Sequence, residues 1–180
     1  MLYLSCFRRV ILLVCGSFAF LSARAQQGAQ HYDVVIDEFL ADPSPAIGLP
    51  ASSFIELKNI SGNSIQLRNW EISNGSATAV IKKDYLLAND SVLVLCPSSA
   101  EDAYRNFGPA LGITGFPSLN NDAGEIILMA EGGRVIHAVQ YDKSWYRNEL
   151  KAGGGWSLEM IDPGNPCSGF SNWTASNQAT

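Results

Sequence analysis

The chain has 180 residues, 47% of them hydrophobic, with 12 basic against 17 acidic side chains and a net charge of −5. An acidic chain without a basic cluster repels phosphate backbones, which argues against a nucleic-acid partner. The length suits one domain large enough to bury its own core without a staple.

The first element is a leader. Arg8 and Arg9 precede the apolar run Val10 to Leu21, and Ala23-Arg24-Ala25 follows before Gln26. A positive start, a short apolar middle and a small-x-small exit mark a secretory signal peptide, residues 1–25, cleaved after Ala25. The run falls short of the ~20 residues a membrane-crossing helix needs, so no transmembrane segment is expected after cleavage. Cys15 is not read as a lipoprotein cysteine, because Val14 before it is bulky and the cleavage pattern lies downstream. Three of the 12 basic residues leave with the leader, so nine stand against 17 acids in residues 26–180, a net charge of −8. The expected location is outside the cell, at its surface or in the periplasm.

Short runs rich in Val, Ile and Leu then follow one another, separated by turn residues, as strands do. They are Tyr32 to Leu40, Phe54 to Asn59, Ile65 to Ser73, Thr78 to Ile81, Ser91 to Cys96, Glu125 to Ala130, Val135 to Tyr141 and Trp156 to Ile161. The loop Asp42 to Ser53 carries three prolines and reads as a surface feature. Gly132-Gly133 stands between two runs and predicts a tight hairpin, since glycine supplies positive φ at both turn positions. The segment SSAEDAYRNFG is the one helical signal, with Ser98 or Ser99 as cap and Gly108 as stop. These elements predict an all-β fold, an antiparallel β-sandwich with one short helix.

Candidates for chemistry are few. His31 sits beside the cleavage site and His137 lies inside a strand, where a lone histidine is usually structural. No metalloprotease, nucleophile-elbow or phosphate-loop motif occurs, so no catalytic set, metal site or cofactor is expected. Asn120 to Glu125 fails the spacing of a calcium loop and reads as a turn. Strict alternation along the first strand places Val34, Ile36, Glu38 and Leu40 on one face, and Glu56 shares a face with Phe54. A charge buried without partners is costly. Glu38 and Glu56 are therefore either hydrogen-bonded structural acids, the favoured reading, or a carboxylate pair for hydrolysis, with or without calcium. Trp70 and Trp156 read as core, whereas Trp145 and Tyr146 fall in a loop and are candidates for an exposed aromatic surface. A sugar platform built from them would need two coplanar rings. Cys96 and Cys167 are the cysteines left after the leader, a candidate disulfide in an oxidising compartment.

The order of several stretches resembles the lamin tail domain in its secreted bacterial form. The matching pieces are VVIDEFLADPSP, FIELKN, LRNWEIS, GFPSLNNDAGEIILM, VIHAVQYDKSWY and GGWSLEMIDPGNPCSGFSNWTAS, spanning Val34 to Ser176. The resemblance implies an immunoglobulin-like β-sandwich serving as a non-catalytic binding or tethering module, with a protein, glycan or envelope surface as partner. One departure is Asp37, where members usually carry Asn before the Glu of the first strand. Similar chains continue past this point into further domains, so residues 26–180 are expected to be one such module, either alone or at the front of a longer protein.

Overall fold

The computed structural model describes residues 28–177; the expected leader, residues 1–25, lies outside the described residues. The strands run in chain order: β1 Val34–Leu40, β2 Phe54–Asn59, β3 Ile65–Gln66, β4 Glu71–Ser73, β5 Thr78–Val80, β6 Leu86–Leu87 and β7 Val92–Pro97. After helix α1, Glu101–Tyr104, come β8 Ala110–Ile113, β9 Ala123–Ala130, β10 Arg134–Asp142, β11 Leu158–Met160 and β12 Trp173–Ala175. One sheet has the order β12-β11-β1-β2-β7-β8, a second β10-β9-β4-β5, and β3 pairs β6 in a small ribbon. Ile36, Phe39, Leu57, Leu93 and Leu95 of the first sheet meet Ile72, Ile126, Leu128 and Val139 of the second in one buried core. This is the expected all-β sandwich. Every pairing is antiparallel except β7 with β8, because α1 carries the chain over the sheet and returns it in the same direction.

The Gly132-Gly133 hairpin forms as expected, with both glycines at positive φ, 85° and 80°. The run Ile65 to Ser73 breaks into β3 and β4, because Asn69 takes a left-handed φ of 63° between them. Neither Ser98 nor Ser99 caps a helix. A 3-10 turn, Ser98–Ala100, leads into only four α-helical residues, with no side-chain cap bond. Instead, the nearly buried Glu101 carboxylate ties the segment down, 2.8 Å from Lys83 and 2.5 Å from Arg105. The Lys83 hydrogen bond, foremost, holds its pKa below the usual carboxylate range. Tyr104 packs on Phe54 and donates its hydroxyl to the Ser52 carbonyl, anchoring the end of the proline-rich loop.

A β-bulge decides which way β1 faces. Ile36 pairs Leu57 and Glu38 pairs Glu56, so Asp37 is the extra residue. One extra residue shifts the alternation of every side chain beyond it. Val34, Ile36 and Phe39 therefore point into the core, while Glu38 and Leu40 point away from it. Strict alternation, which would put Val34, Ile36, Glu38 and Leu40 together, fails here. A matching irregularity in β10, between Val135 and His137, turns both Ile136 and His137 inward. His137, 1% exposed, accepts the Ile36 N–H at Nδ1 over 2.8 Å and so bridges the two sheets.

Burial, with a smaller effect from His31, lowers the His137 pKa from 6.5 to about 4. The unfolded chain takes up this proton first, so the neutral ring's contribution is complete above about pH 6.5 and is lost as pH falls toward 4. His137→Leu removes the acceptor and strands a buried N–H. The variant should lose about 1–3 kcal/mol in urea denaturation at neutral pH, and that deficit should shrink as the pH is lowered to 4.

Candidate functional site

The bulge and the strand pairing assemble a row of acids. Glu38 on β1 pairs Glu159 on β11 to one side and Glu56 on β2 to the other. All three point away from the core, joined by Asp37 and by Lys58 of β2. Each is half-buried. Burial raises the pKa of Glu56 from 4.5 to about 7, reinforced by the charges of Glu38 and Asp37. Burial likewise raises Glu38, which the neighbouring Ser157 eases, and Asp37, which Lys58 eases. Ser157 lies near Glu38; among the described residues its Oγ and Asp37 Oδ1 are buried without a hydrogen-bond partner. Sequence reasoning found Glu38 and Glu56 as a pair. It missed Glu159 as their partner because register across strands far apart in the chain leaves no local signal.

The row offers little machinery for catalysis. The acids line none of the four principal cavities. Among the described residues, no group of three or more His, Cys, Asp or Glu is arranged to hold a metal ion. The favoured reading of hydrogen-bonded structural acids also needs correction for Glu56, whose carboxylate makes no side-chain hydrogen bond or ion pair among the described residues.

The aromatic pair divides. Tyr146 is not a surface ring: it is buried and donates its hydroxyl to the Trp156 carbonyl at 3.0 Å. Trp145 stays half-exposed, its ring 6.1 Å from Trp173 at 38° and 6.3 Å from Phe170 at 66°. No coplanar pair results. Trp70 is core as expected, while Trp156 is half-buried beneath the Lys151 ammonium. The candidate disulfide is not formed. Cys96 is buried and Cys167 exposed, and both are free. Cys96 projects from the face of the six-stranded sheet that α1 covers. Cys167 rides on the turn Pro166–Asn172 against the far side of the other sheet, so the sandwich stands between them.

Trp145 belongs to a cleft instead. A cavity of about 460 Å³ runs over the outer face of β9 and β10, lined by Glu125, Ile127, Ala138 and Gln140, with Trp145 and Trp173 as its wall. A second, of about 560 Å³, lies at the end of the same sheet among Asn74, Ser118, Asn120, Asn121 and Tyr141. Glu125 lines both. Both volumes fall in the range of about 300–1,000 Å³ typical of ligand sites. Glu125 and Gln140 went unnoticed in the sequence, although alternation along EIILMA already separates Glu125 and Ile127 from the core residues Ile126 and Leu128.

The sandwich matches a known family over its larger part. The family model of the lamin tail domain covers residues 27–143. The chain belongs to the lamin tail domain family. None of the curated proteins matches it. The family is immunoglobulin-like and not known as catalytic. The match ends inside the structural unit: β11 and β12 lie beyond residue 143, yet β11 pairs directly with β1. The acid row thus combines two residues within the matched span, Glu38 and Glu56, with Glu159 outside it.

Two outcomes follow for this lamin tail domain. A folded-state pKa above the unfolded one means that ionising Glu56 opposes folding: its contribution is complete below about pH 4.5 and is lost as pH rises through 7. Glu56→Gln should therefore stabilise the protein by about 1–3 kcal/mol at pH 8 and by little at pH 4.5, read from thermal melts at both pH values. Burial also raises the Cys96 thiol to about 11. Native labelling with a thiol reagent should mark Cys167 but not Cys96, which should react only after denaturation.

Proposed function

We propose that this lamin tail domain is a secreted, non-catalytic tethering module of the bacterial type, which binds a protein, glycan or envelope surface. The observation that carries the reading is where the polar side chains lie. The acid row stands on a sheet face outside the four principal cavities, while the clefts are lined by carboxamides, hydroxyls, a tryptophan and a single carboxylate, Glu125. Such walls suit binding and orientation, and one carboxylate supplies neither the acid–base pair nor the activated nucleophile that hydrolysis uses. Secretion rests on the leader pattern at residues 1–25. Among the described residues no helix is long and apolar enough to cross a membrane.

The raised Glu56 pKa is the one observation that favours a hydrolase. A hydrolase would lose turnover in Glu56→Gln, whereas a tethering module has none to lose.

Expression in a secreting bacterial host should yield a protein whose mass begins at Gln26. That protein should bind at least one member of an array of envelope polysaccharides and surface proteins and release no product from any of them. Retention of residues 1–25 would defeat the cleavage, and turnover abolished by Glu56→Gln would defeat the non-catalytic reading.

A further inference from the structure

Glu125 holds the centre of the two joined clefts. Its carboxylate has no ion pair or side-chain hydrogen bond among the described residues. It is set against the backbone of Gly75, whose φ is +82°, and a Cβ there would collide with it. The β4–β5 turn is further fixed by Asn74, which accepts the N–H groups of Ser76 and Ala77 at Oδ1 and donates to the Ser118 carbonyl. One wall of the cleft is therefore rigid before any ligand arrives.

The polar side chains around Glu125 are unsatisfied in a particular way. Asn121 and Gln140 are exposed and make no side-chain hydrogen bond among the described residues. Each carboxamide can donate and accept at once, which is what a hydroxyl-bearing ligand demands. At the other end, Arg147 covers the neighbouring Phe170 ring at 4.3 Å, while among the described residues no cation lies over Trp145. Trp145, half-exposed and lining the cleft, has ring surface available to an apolar face of a ligand. Among the described residues no Lys or Arg lines either cavity. A phosphate, uronate or peptide carboxylate would meet Glu125 with no compensating charge. A basic peptide would find a single partly exposed carboxylate, worth only about 0–1 kcal/mol.

We infer that the joined clefts, from Asn121 through Glu125 and Gln140 to Trp145, bind a neutral oligosaccharide. One sugar ring packs on Trp145. The hydroxyls of the next residues along the chain hydrogen-bond to Gln140, Glu125 and Asn121. This assignment rests on the tethering-module reading and names its ligand class and its site. It differs from a two-ring platform in that one ring supplies the apolar contact and the carboxamides supply the rest.

The test uses the secreted protein against soluble hexasaccharides of β-1,4-glucose, β-1,4-xylose, β-1,4-mannose, β-1,3-glucose and N-acetylglucosamine, read by calorimetry and tryptophan fluorescence. A lysine-rich peptide and an array of surface proteins run alongside. Saturable binding to at least one hexasaccharide is expected, weakened at least tenfold in Trp145→Ala and three- to tenfold in Glu125→Gln and Asn121→Ala. Glu56→Gln, on the opposite sheet, should bind unchanged. Asn121 is exposed and Glu125→Gln is isosteric, so both variants report on the site even where Trp145→Ala fails to fold. The assignment is overturned by binding to none of the sugars, by sugar binding indifferent to Glu125→Gln and Asn121→Ala, or by preference for the peptide. In the last two cases, or where a protein of the array binds instead, the tethering reading survives; silence of sugars, peptide and array together removes it as well.

Discussion

The hydrogen bond from the Ile36 N–H to His137 Nδ1 is the constraint on which the sandwich turns. A bulge interrupts the regular β1–β2 ladder at this point, and an N–H buried without an acceptor would cost about as much as a lost hydrogen bond. His137 supplies that acceptor from the other sheet, and it faces inward only because β10 carries its own irregularity. The two distortions are mutually supporting. Together they align Phe39 with the core, where its ring meets Tyr141 at 4.8 Å and Trp173 at 5.3 Å. They also turn Glu38 out beside Glu56 and Glu159. One neutral imidazole thus links the packing of the interior to the electrostatics of the outer face.

That link sets two titrations against each other. Protonation of His137 opposes the fold below about pH 6.5, and ionisation of Glu56 opposes it above about 4.5. Their windows overlap, so across mildly acidic pH the two slopes partly cancel. Neither residue lies among those lining the clefts on the far side of the four-stranded sheet. The molecule separates the acid row of the six-stranded sheet from the carboxamide- and tryptophan-lined clefts of the four-stranded one.

Much of this was legible in the sequence. Alternating runs gave the strands, the Gly-Gly pair the hairpin, and the order of segments the family. What could not be read was anything set by tertiary partners. The bulge at Asp37 has no local signature, because it is stabilised by a histidine a hundred positions away. Strands β6, β8 and β12 are too short or too interrupted to show a period. Tyr146 looked like a loop aromatic, and only the fold reveals the Trp156 carbonyl that receives its hydroxyl. Asn121 stood out only as part of a failed calcium loop; the unpaired carboxamide matters because β9 and β10 bring Glu125 and Gln140 into register with each other.

The pairing of β1 with β11 joins Glu38 to Glu159, about 120 residues apart in the chain. Closing so long a loop is entropically costly, and contacts of this range slow folding. Until β11 arrives, β1 presents one bare edge, a row of open N–H and C=O groups able to capture another strand. A charged side chain on an open edge disfavours such capture, and Glu38 stands on this one.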